Sequence, residues 1–370
     1  MGYLGRLYHL IDLSMALIPY HFIKSGRAFK PLRMALMVTH RCNLRCAMCM
    51  IAERDTELRD KDLNTNELKL IISKVPSRTL ITFTGGEPFV RKDILDLIAY
   101  ASQNHRVNLI TNGVLFNEEK IERLMTLAPK HVFQKGTILV GVSIQGIGET
   151  HDAVVGVKGA FEKARDHVIR FRESRKEWGK RLPLLDIKSV ITEQNVEQMN
   201  DLVDFAREME ADFCTFQIVN TQDSSYGITD VNEEAYLIPP PPVRFSKIDE
   251  LRQQLVNVEK RKKEVPFEIR FNPILPPGEI LRRYQNAIDI RDYGCFVPWT
   301  TAHIGPTGNV FPCYSINCGN LLQNSFDKVW NGATFREFRK SLRGAKIFPG
   351  CEGCCFISYR GKFRDGVKTG

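Results

Sequence analysis

The sequence predicts an α/β protein in which a partial (βα)6 TIM-like barrel over residues 34–220 is followed by a small C-terminal α+β domain over residues 293–370. Three observations predict it. From Met34 to about Asn220, short β-branched apolar runs alternate with amphipathic stretches, the pattern of parallel strands joined by crossover helices. Six such units occur, fewer than the eight that close a barrel. A proline-rich break then ends the alternation, and hairpin and cysteine signals follow it. The length of 370 residues allows two or three domains, and 43% hydrophobic with 26% charged residues excludes a disordered or fibrous chain.

Residues 1–33 form an N-terminal helical extension. Its longest apolar run, Leu13 to Ile23, contains Pro19 and has eleven residues, short of the roughly eighteen that cross a bilayer. Arg6, His9 and Asp12 interrupt the apolar stretch, so no cleavable signal peptide is expected, and the ten cysteines are expected to be reduced in a cytoplasmic setting. Lys24, Arg27, Lys30 and Arg33 beside this stretch suit either contact with the inner membrane surface or, as apolar helix faces more often do, packing on the next domain. A net charge of +9 favours acidic partners, but no aromatic-basic pattern supports nucleic acid.

The strand candidates are Met34 to Thr39, Thr79 to Thr84, Arg106 to Thr111, Thr137 to Ser143, Leu184 to Ile191 and Asp212 to Val219. Crossover helices begin at Asn64 or Thr65, with Glu67 in the first turn, and later span Gly159 to Trp178 and Asn195 to Glu210. Residues 221–292 read as a linker or lid, with Pro239 to Pro242, a charged helix from Ser246 to Glu264 and a short strand at Phe267 to Phe271. In the last domain Thr301 to Ile304 and Asn309 to Phe311 flank a Gly-Pro-Thr-Gly turn, and helices follow at Ser325 to Trp330 and Thr334 to Leu342.

In parallel barrels functional groups gather where the strands end at their carboxyl side. Cys42, Cys46 and Cys49 follow the first strand, so three thiolates share one loop there. A cluster of four irons needs one external ligand per iron, and three cysteines leave one iron open to an amino-acid-derived cofactor. A zinc site with His40 as fourth ligand is the structural alternative. At the end of strand two, Thr84-Gly85-Gly86-Glu87-Pro88 offers two glycines for close backbone approach to a ligand and a carboxylate that accepts from an ammonium.

The C-x3-C-x2-C triplet in this position resembles the radical S-adenosylmethionine superfamily over roughly residues 34–220. The resemblance implies a 4Fe-4S cluster on the triplet and S-adenosyl-L-methionine on its open iron, with Gly85, Gly86, Glu87 and Pro88 around the methionyl amine. Thr111, Asn112 and Ser143 would contact ribose and carboxylate. Met48 replaces the aromatic residue frequent before the third cysteine and packs on adenine instead. Gln145 stands where relatives have aspartate, and Val155 where they have an arginine that Lys158 or Lys188 would replace.

Cys295, Cys313, Cys351 and Cys354 suffice to close a second cluster. They resemble the SPASM domain in its short twitch form, which implies an auxiliary 4Fe-4S cluster; zinc is the structural alternative, and Cys355 competes with Cys354 as ligand. Cys214 reads as a core residue. The implied activity is reductive cleavage of the cofactor to a 5'-deoxyadenosyl radical that abstracts hydrogen, fed by a low-potential flavodoxin- or ferredoxin-type donor. A small-molecule, glycan or lipid-linked substrate is the leading expectation, because the 33 residues before strand one are too few for a leader-binding module. A peptide would need a separate leader-binding partner, and a non-catalytic electron carrier is the remaining alternative. No catalytic residue is assigned; Asp223, Glu268, Arg270 and Tyr284 are candidates for a base without diagnostic spacing.

Overall fold

The computed structural model describes residues 14–49, 59–221, 235–313 and 316–360. Seven parallel strands form the barrel wall in sequence order: β1 (Arg33–Met37), β2 (Leu80–Thr84), β3 (Arg106–Thr111), β4 (Gly136–Ser143), β5 (Leu184–Val190), β6 (Phe213–Gln217) and β7 (Glu268–Asn272). All six strands expected from the sequence form, and a seventh extends them. Its register with β6, Phe213 opposite Glu268 through Gln217 opposite Asn272, continues the wall across what the sequence presents as a connecting segment. The helices between strands are α1 (Thr65–Lys74), α2 (Ile94–Ser102), α3 (Glu118–Leu127), α4 (Glu149–Val155), α5 (Ala160–Glu177), α6 (Met199–Glu208) and α7 (Ile248–Arg261), and α8 (Pro277–Tyr284) follows β7.

Local chemistry explains the boundaries. Asn64 accepts the Asn66 and Glu67 amides while the Glu67 carboxylate takes the Asn64 amide, so α1 starts with a capping box. Asn117 caps α3, whose first turn carries Glu118 and Glu119 at the positive end of the helix dipole. Alternation along the strands then sorts the two faces of the sheet. Phe83, Leu109, Val142, Ile187, Phe216 and Phe271 lie buried in the main core with residues of the helices. The opposite face carries Thr82 in register with Asn108 and, beyond β4, Lys188 in register with Thr215 and Arg270, with Asp186 two residues before Lys188 on the same strand.

The C-terminal segment contains β8 (Tyr293–Gly294), α9 (Val297–Thr300), β9 (Thr301–Ile304), β10 (Val310–Phe311), α10 (Phe326–Trp330), α11 (Ala333–Ala345) and β11 (Ser358–Tyr359). Its hairpin does not stand apart from the barrel. β9 pairs parallel with β1, Arg33 opposite Thr301 through Leu36 opposite Ile304, and β10 pairs antiparallel outside it, giving one nine-stranded sheet. The backbone groups of β1 that would form an open edge are thereby satisfied.

Residues 14–22 are helical and pack on this last segment, not on the barrel that follows them in sequence. The Tyr20 ring lies 5.0 Å from both Phe296 and Trp299. Arg343 donates to the carbonyls of Tyr20, Ile23 and Lys24, Trp330 donates to Phe29, and Asn331 both donates to and accepts from the Ala28 backbone. Among the described residues no helix is long and apolar enough to cross a membrane.

Candidate cluster and cofactor site

Because the barrel strands are parallel, the segments that leave β1, β2, β3 and β4 emerge at one edge of the sheet. The loop after β1 is held from two sides. On one side the amides of Gly86 and Glu87 donate to the carbonyls of Thr39 and Arg41, each at 2.9 Å. On the other, the amides of Arg45 and Ala47 donate to Val155 and Val154, the last carbonyls of α4, also at 2.9 Å. Leu44 anchors the middle in a small apolar cluster with Val155 and Ala160, against which Cys42 and Cys46 pack.

The glycines after β2 serve this loop. A Cβ on Gly85 would lie 2.6 Å from the Thr39 carbonyl oxygen, and one on Gly86 would lie 2.2 Å from that of Arg41. The expected close approach to a ligand is therefore, in this structure, a close approach of two backbones. Gly156 repeats the device from the far side, with φ +69° and a Cβ position 2.9 Å from the Arg45 carbonyl.

Glu87 also turns inward. Only 1% exposed, its carboxylate accepts from the Thr111 hydroxyl at 2.8 Å and from the amides of Asn112 and Phe89 at 2.7 and 3.0 Å. Burial pushes its pKa up to about 7, against those three bonds. Most of its acceptor capacity is thus spent inside the protein. Asn112 in turn donates to the Asn43 side chain at 2.9 Å, joining β3 to the cysteine loop. Thr111 and Asn112 are thus ties within the site, whereas the Ser143 hydroxyl bonds to no other described residue and Met48 sits half-buried in the turn before Cys49.

Burial raises the Cys42 thiol to about 11 and Cys46 to about 12, and in both cases the charge of Cys49 adds to the rise, so the three sulfurs lie within one another's field. A bound cation would invert that effect and draw the protons off. The Leu44 amide donates to Cys42 Sγ at 3.4 Å, the kind of bond that a metal-ligating thiolate accepts. No group of three His, Cys, Asp and Glu side chains among the described residues, His40 included, converges as a single metal ion would require. His40 instead bonds through Nδ1 to Asp62 at 2.6 Å, and Thr39 donates to the same carboxylate. These bonds hold Asp62 below the usual carboxylate range despite its burial. Nothing in local spacing signals Asp62, which lies 22 residues from His40.

Further round the rim, Gln145 accepts the Val190 amide at 2.9 Å, and its carbonyl accepts from Asn195, so it ties β4 to β5. His151 is fully buried and accepts the Gln145 amide at 2.9 Å, and Asp152 caps α5 through the amides of Gly159 and Phe161. Lys158 is exposed, while Lys188 pairs with the buried Asp186 at 3.0 Å. Of the base candidates, Asp223 lies outside the described residues. Arg270 is bound to Asp186 and Thr215. Glu268 stands at the start of β7. Tyr284 donates to Ile191 and accepts from Val219 deep in the core, which makes it a structural tie and pushes its phenol up.

The second set of cysteines also gathers. Burial lifts Cys295 to about 12 with Cys313 adding to it, Cys351 feels both of them, and Cys354 feels Cys355, Cys313 and Cys351. The Phe356 amide donates to Cys354 Sγ at 3.3 Å. Thr221, just beyond β6, donates to the Gly353 carbonyl at 3.1 Å and ties this loop to the barrel. Cys318 instead lies near Arg339, and Cys214 is a core thiol in β6 raised by burial. Two buried thiols, Cys351 and Cys354, and two half-buried ones, Cys295 and Cys313, with an N–H···S bond suit a closed iron–sulfur cluster as the first three suit an open one.

Comparison with known proteins bears on both groups. Residues 36–206 match the Radical SAM superfamily, and residues 295–355 match SPASM, an iron-sulfur cluster-binding domain. Over 340 residues the chain is 26% identical to a PqqA peptide cyclase of Rhodopseudomonas palustris, covering 88% of this chain and 80% of that one. Over 348 residues it is 25% identical to an AdoMet-dependent heme synthase of Methanosarcina barkeri, covering 89% and 92%. The crystal structure of Streptococcus suis SuiB bound to precursor peptide SuiA shares the fold at a TM-score of 0.61 and 19% identity, over 86% of this chain and 68% of that one. The chain is a radical S-adenosylmethionine enzyme with a C-terminal SPASM domain, and its cofactors are a 4Fe-4S cluster with S-adenosylmethionine and an auxiliary iron–sulfur cluster.

Proposed function

We propose that the chain modifies a peptide by hydrogen abstraction, with Cys42, Cys46 and Cys49 holding the cofactor-binding cluster and Cys295, Cys313, Cys351 and Cys354 the auxiliary one. The observation that carries this is the likeness to a peptide cyclase across both domains, 88% of this chain. It displaces the small-molecule, glycan or lipid-linked substrate as the leading reading. When bound, the cofactor supplies a 5'-deoxyadenosyl radical on one-electron reduction. The protein's own contribution is to fix the cysteine loop between the Gly86-Glu87 turn and the end of α4, and to leave Ser143, Met48 and the backbone of the turn to orient the cofactor. A low-potential donor of flavodoxin or ferredoxin type delivers the electron. The segment around Ile18 and Phe22, with exposed Lys24, Arg27 and Lys30, rests on an anionic membrane surface.

The test is anaerobic reconstitution of the full chain, with iron and sulfide counted and 5'-deoxyadenosine measured under dithionite. About eight irons, falling to about four with C42A/C46A/C49A together with loss of 5'-deoxyadenosine, is the expected result. Short peptides encoded beside the gene should change mass in the same reaction. Turnover of heme precursors with no change in any peptide would replace the peptide reading by that of the heme synthase relatives.

A further inference from the structure

Arg283 on α8 is a buried arginine whose neighbours leave its charge unanswered. It is 5% exposed, and its Nε and Nη2 lie buried with no hydrogen-bond partner among the described residues. Such a state is costly, because an arginine taken out of water is ordinarily paired. Arg339, the other deeply buried arginine of this half, shows the usual solution. Through Nε and Nη1 it donates to the carbonyls of Pro298, Gly26 and Trp330, and it lies over the rings of Trp330 and Phe335, which leaves only Nη2 without a partner. Arg283 has no such set of carbonyls.

The groups that face it identify what is missing. They are Cys354, then Tyr284, Glu352 and Tyr293. Both tyrosines are already engaged: Tyr284 donates to Ile191, and Tyr293 donates to Glu279 at 2.7 Å. Arg282, next along the helix, takes the other Glu279 oxygen at 3.7 Å. Glu352 makes no ion pair or hydrogen bond with Arg283 among the described residues, and the Cys354 sulfur, the strongest of the four influences on the guanidinium, remains. The geometry points to Arg283 as the countercharge of the auxiliary cluster, its buried N–H groups donating to sulfur at the Cys354 corner. This rests on the assignment of Cys295, Cys313, Cys351 and Cys354 to that cluster. Arg283 is accordingly a positioning residue that sets how readily the cluster accepts an electron, since a fixed positive charge and N–H···S bonds favour the more negative, reduced state.

The experiment is a redox titration of the reconstituted full chain, followed by electron paramagnetic resonance, for wild type, Arg283→Gln and Arg283→Lys. Arg283→Gln should reduce the auxiliary cluster at least tenfold less at a fixed poise, a downward shift of about 59 mV for one electron. Arg283→Lys, which keeps the charge, should fall between the two, and the cluster on Cys42, Cys46 and Cys49 in the same samples should titrate as in wild type. Equal titration of the auxiliary cluster in Arg283→Gln and wild type overturns the inference. So does a shift of both clusters together, which marks a general loss of structure. About four irons per wild-type chain instead removes the auxiliary cluster, and with it the reading on which the inference stands.

Discussion

His151 illustrates how a side chain at the rim of the site serves the frame rather than the reaction. Its Nδ1 accepts the Gln145 amide, so the ring is needed neutral, and burial holds its pKa down at about 4. An unfolded histidine titrates near 6.5, so between roughly pH 4 and 6.5 the unfolded chain binds more protons than the folded one. The stabilising contribution is present in full above about 6.5 and is lost as pH falls through about 4, a difference on the order of 3 kcal/mol. His151→Asn should therefore be less stable than wild type at pH 7.5 and close much of that gap by pH 4.5. Thermal melts across that range check it, and a constant gap would remove His151 from the acid response. Residues of this kind were only half legible. The sequence marks Gly85-Gly86-Glu87 as a cofactor's surroundings, but the bonds that occupy Glu87, Thr111 and Asn112 join segments about 25 residues apart. Such ties depend on strand order, which composition and spacing do not contain.

Elements are more legible where the cause is local. The Asn64 capping signal places the start of α1, and the alternation of buried residues along β3 is visible in its own side chains. β7 was readable as a strand but not as part of the wall, because its partner β6 lies beyond α7 and residues 222–234. The turn after β2 gives the sharpest test at this scale. Gly86→Ala places a methyl 2.2 Å from the Arg41 carbonyl oxygen, a backbone atom that cannot move without the cysteine loop. Anaerobic reconstitution should then leave less than half the iron on the Cys42 triplet, while the auxiliary cluster loads normally. Gly344→Ala is the control. It lies inside α11 with open space around it and should raise stability by up to about 1 kcal/mol with iron content unchanged. Equal iron in Gly86→Ala and wild type would show that the loop does not depend on that approach.

At the scale of the whole molecule the sequence divides into consecutive pieces, but the chain closes on itself. The last segment lends β9 to the first strand, and the first helix lies on the last segment through Tyr20 and Arg343, with Arg339 holding Gly26 just beyond it. That closure separates two roles which the N-terminal apolar run left combined. Ala16 and Tyr20 face inward, while Phe22 is 80% and Ile18 45% exposed on the same short helix, next to exposed Lys24, Arg27 and Lys30. If the inward face serves packing and the outward face a membrane, the two respond to different mutations. Tyr20→Ala should cost roughly 3 kcal/mol, as loss of a buried ring does, and lower the melting temperature. Phe22→Asp should leave stability within about 0.5 kcal/mol. It should nevertheless weaken binding to anionic phosphatidylserine vesicles by about tenfold or more, since seating one phenyl group out of water is worth roughly 1.5–3 kcal/mol. Sedimentation with vesicles and melts of the same two variants measure both effects. Unchanged sedimentation of Phe22→Asp would leave this helix with its packing role alone, because the basic residues beside it would then act without an apolar contact to hold them at the surface.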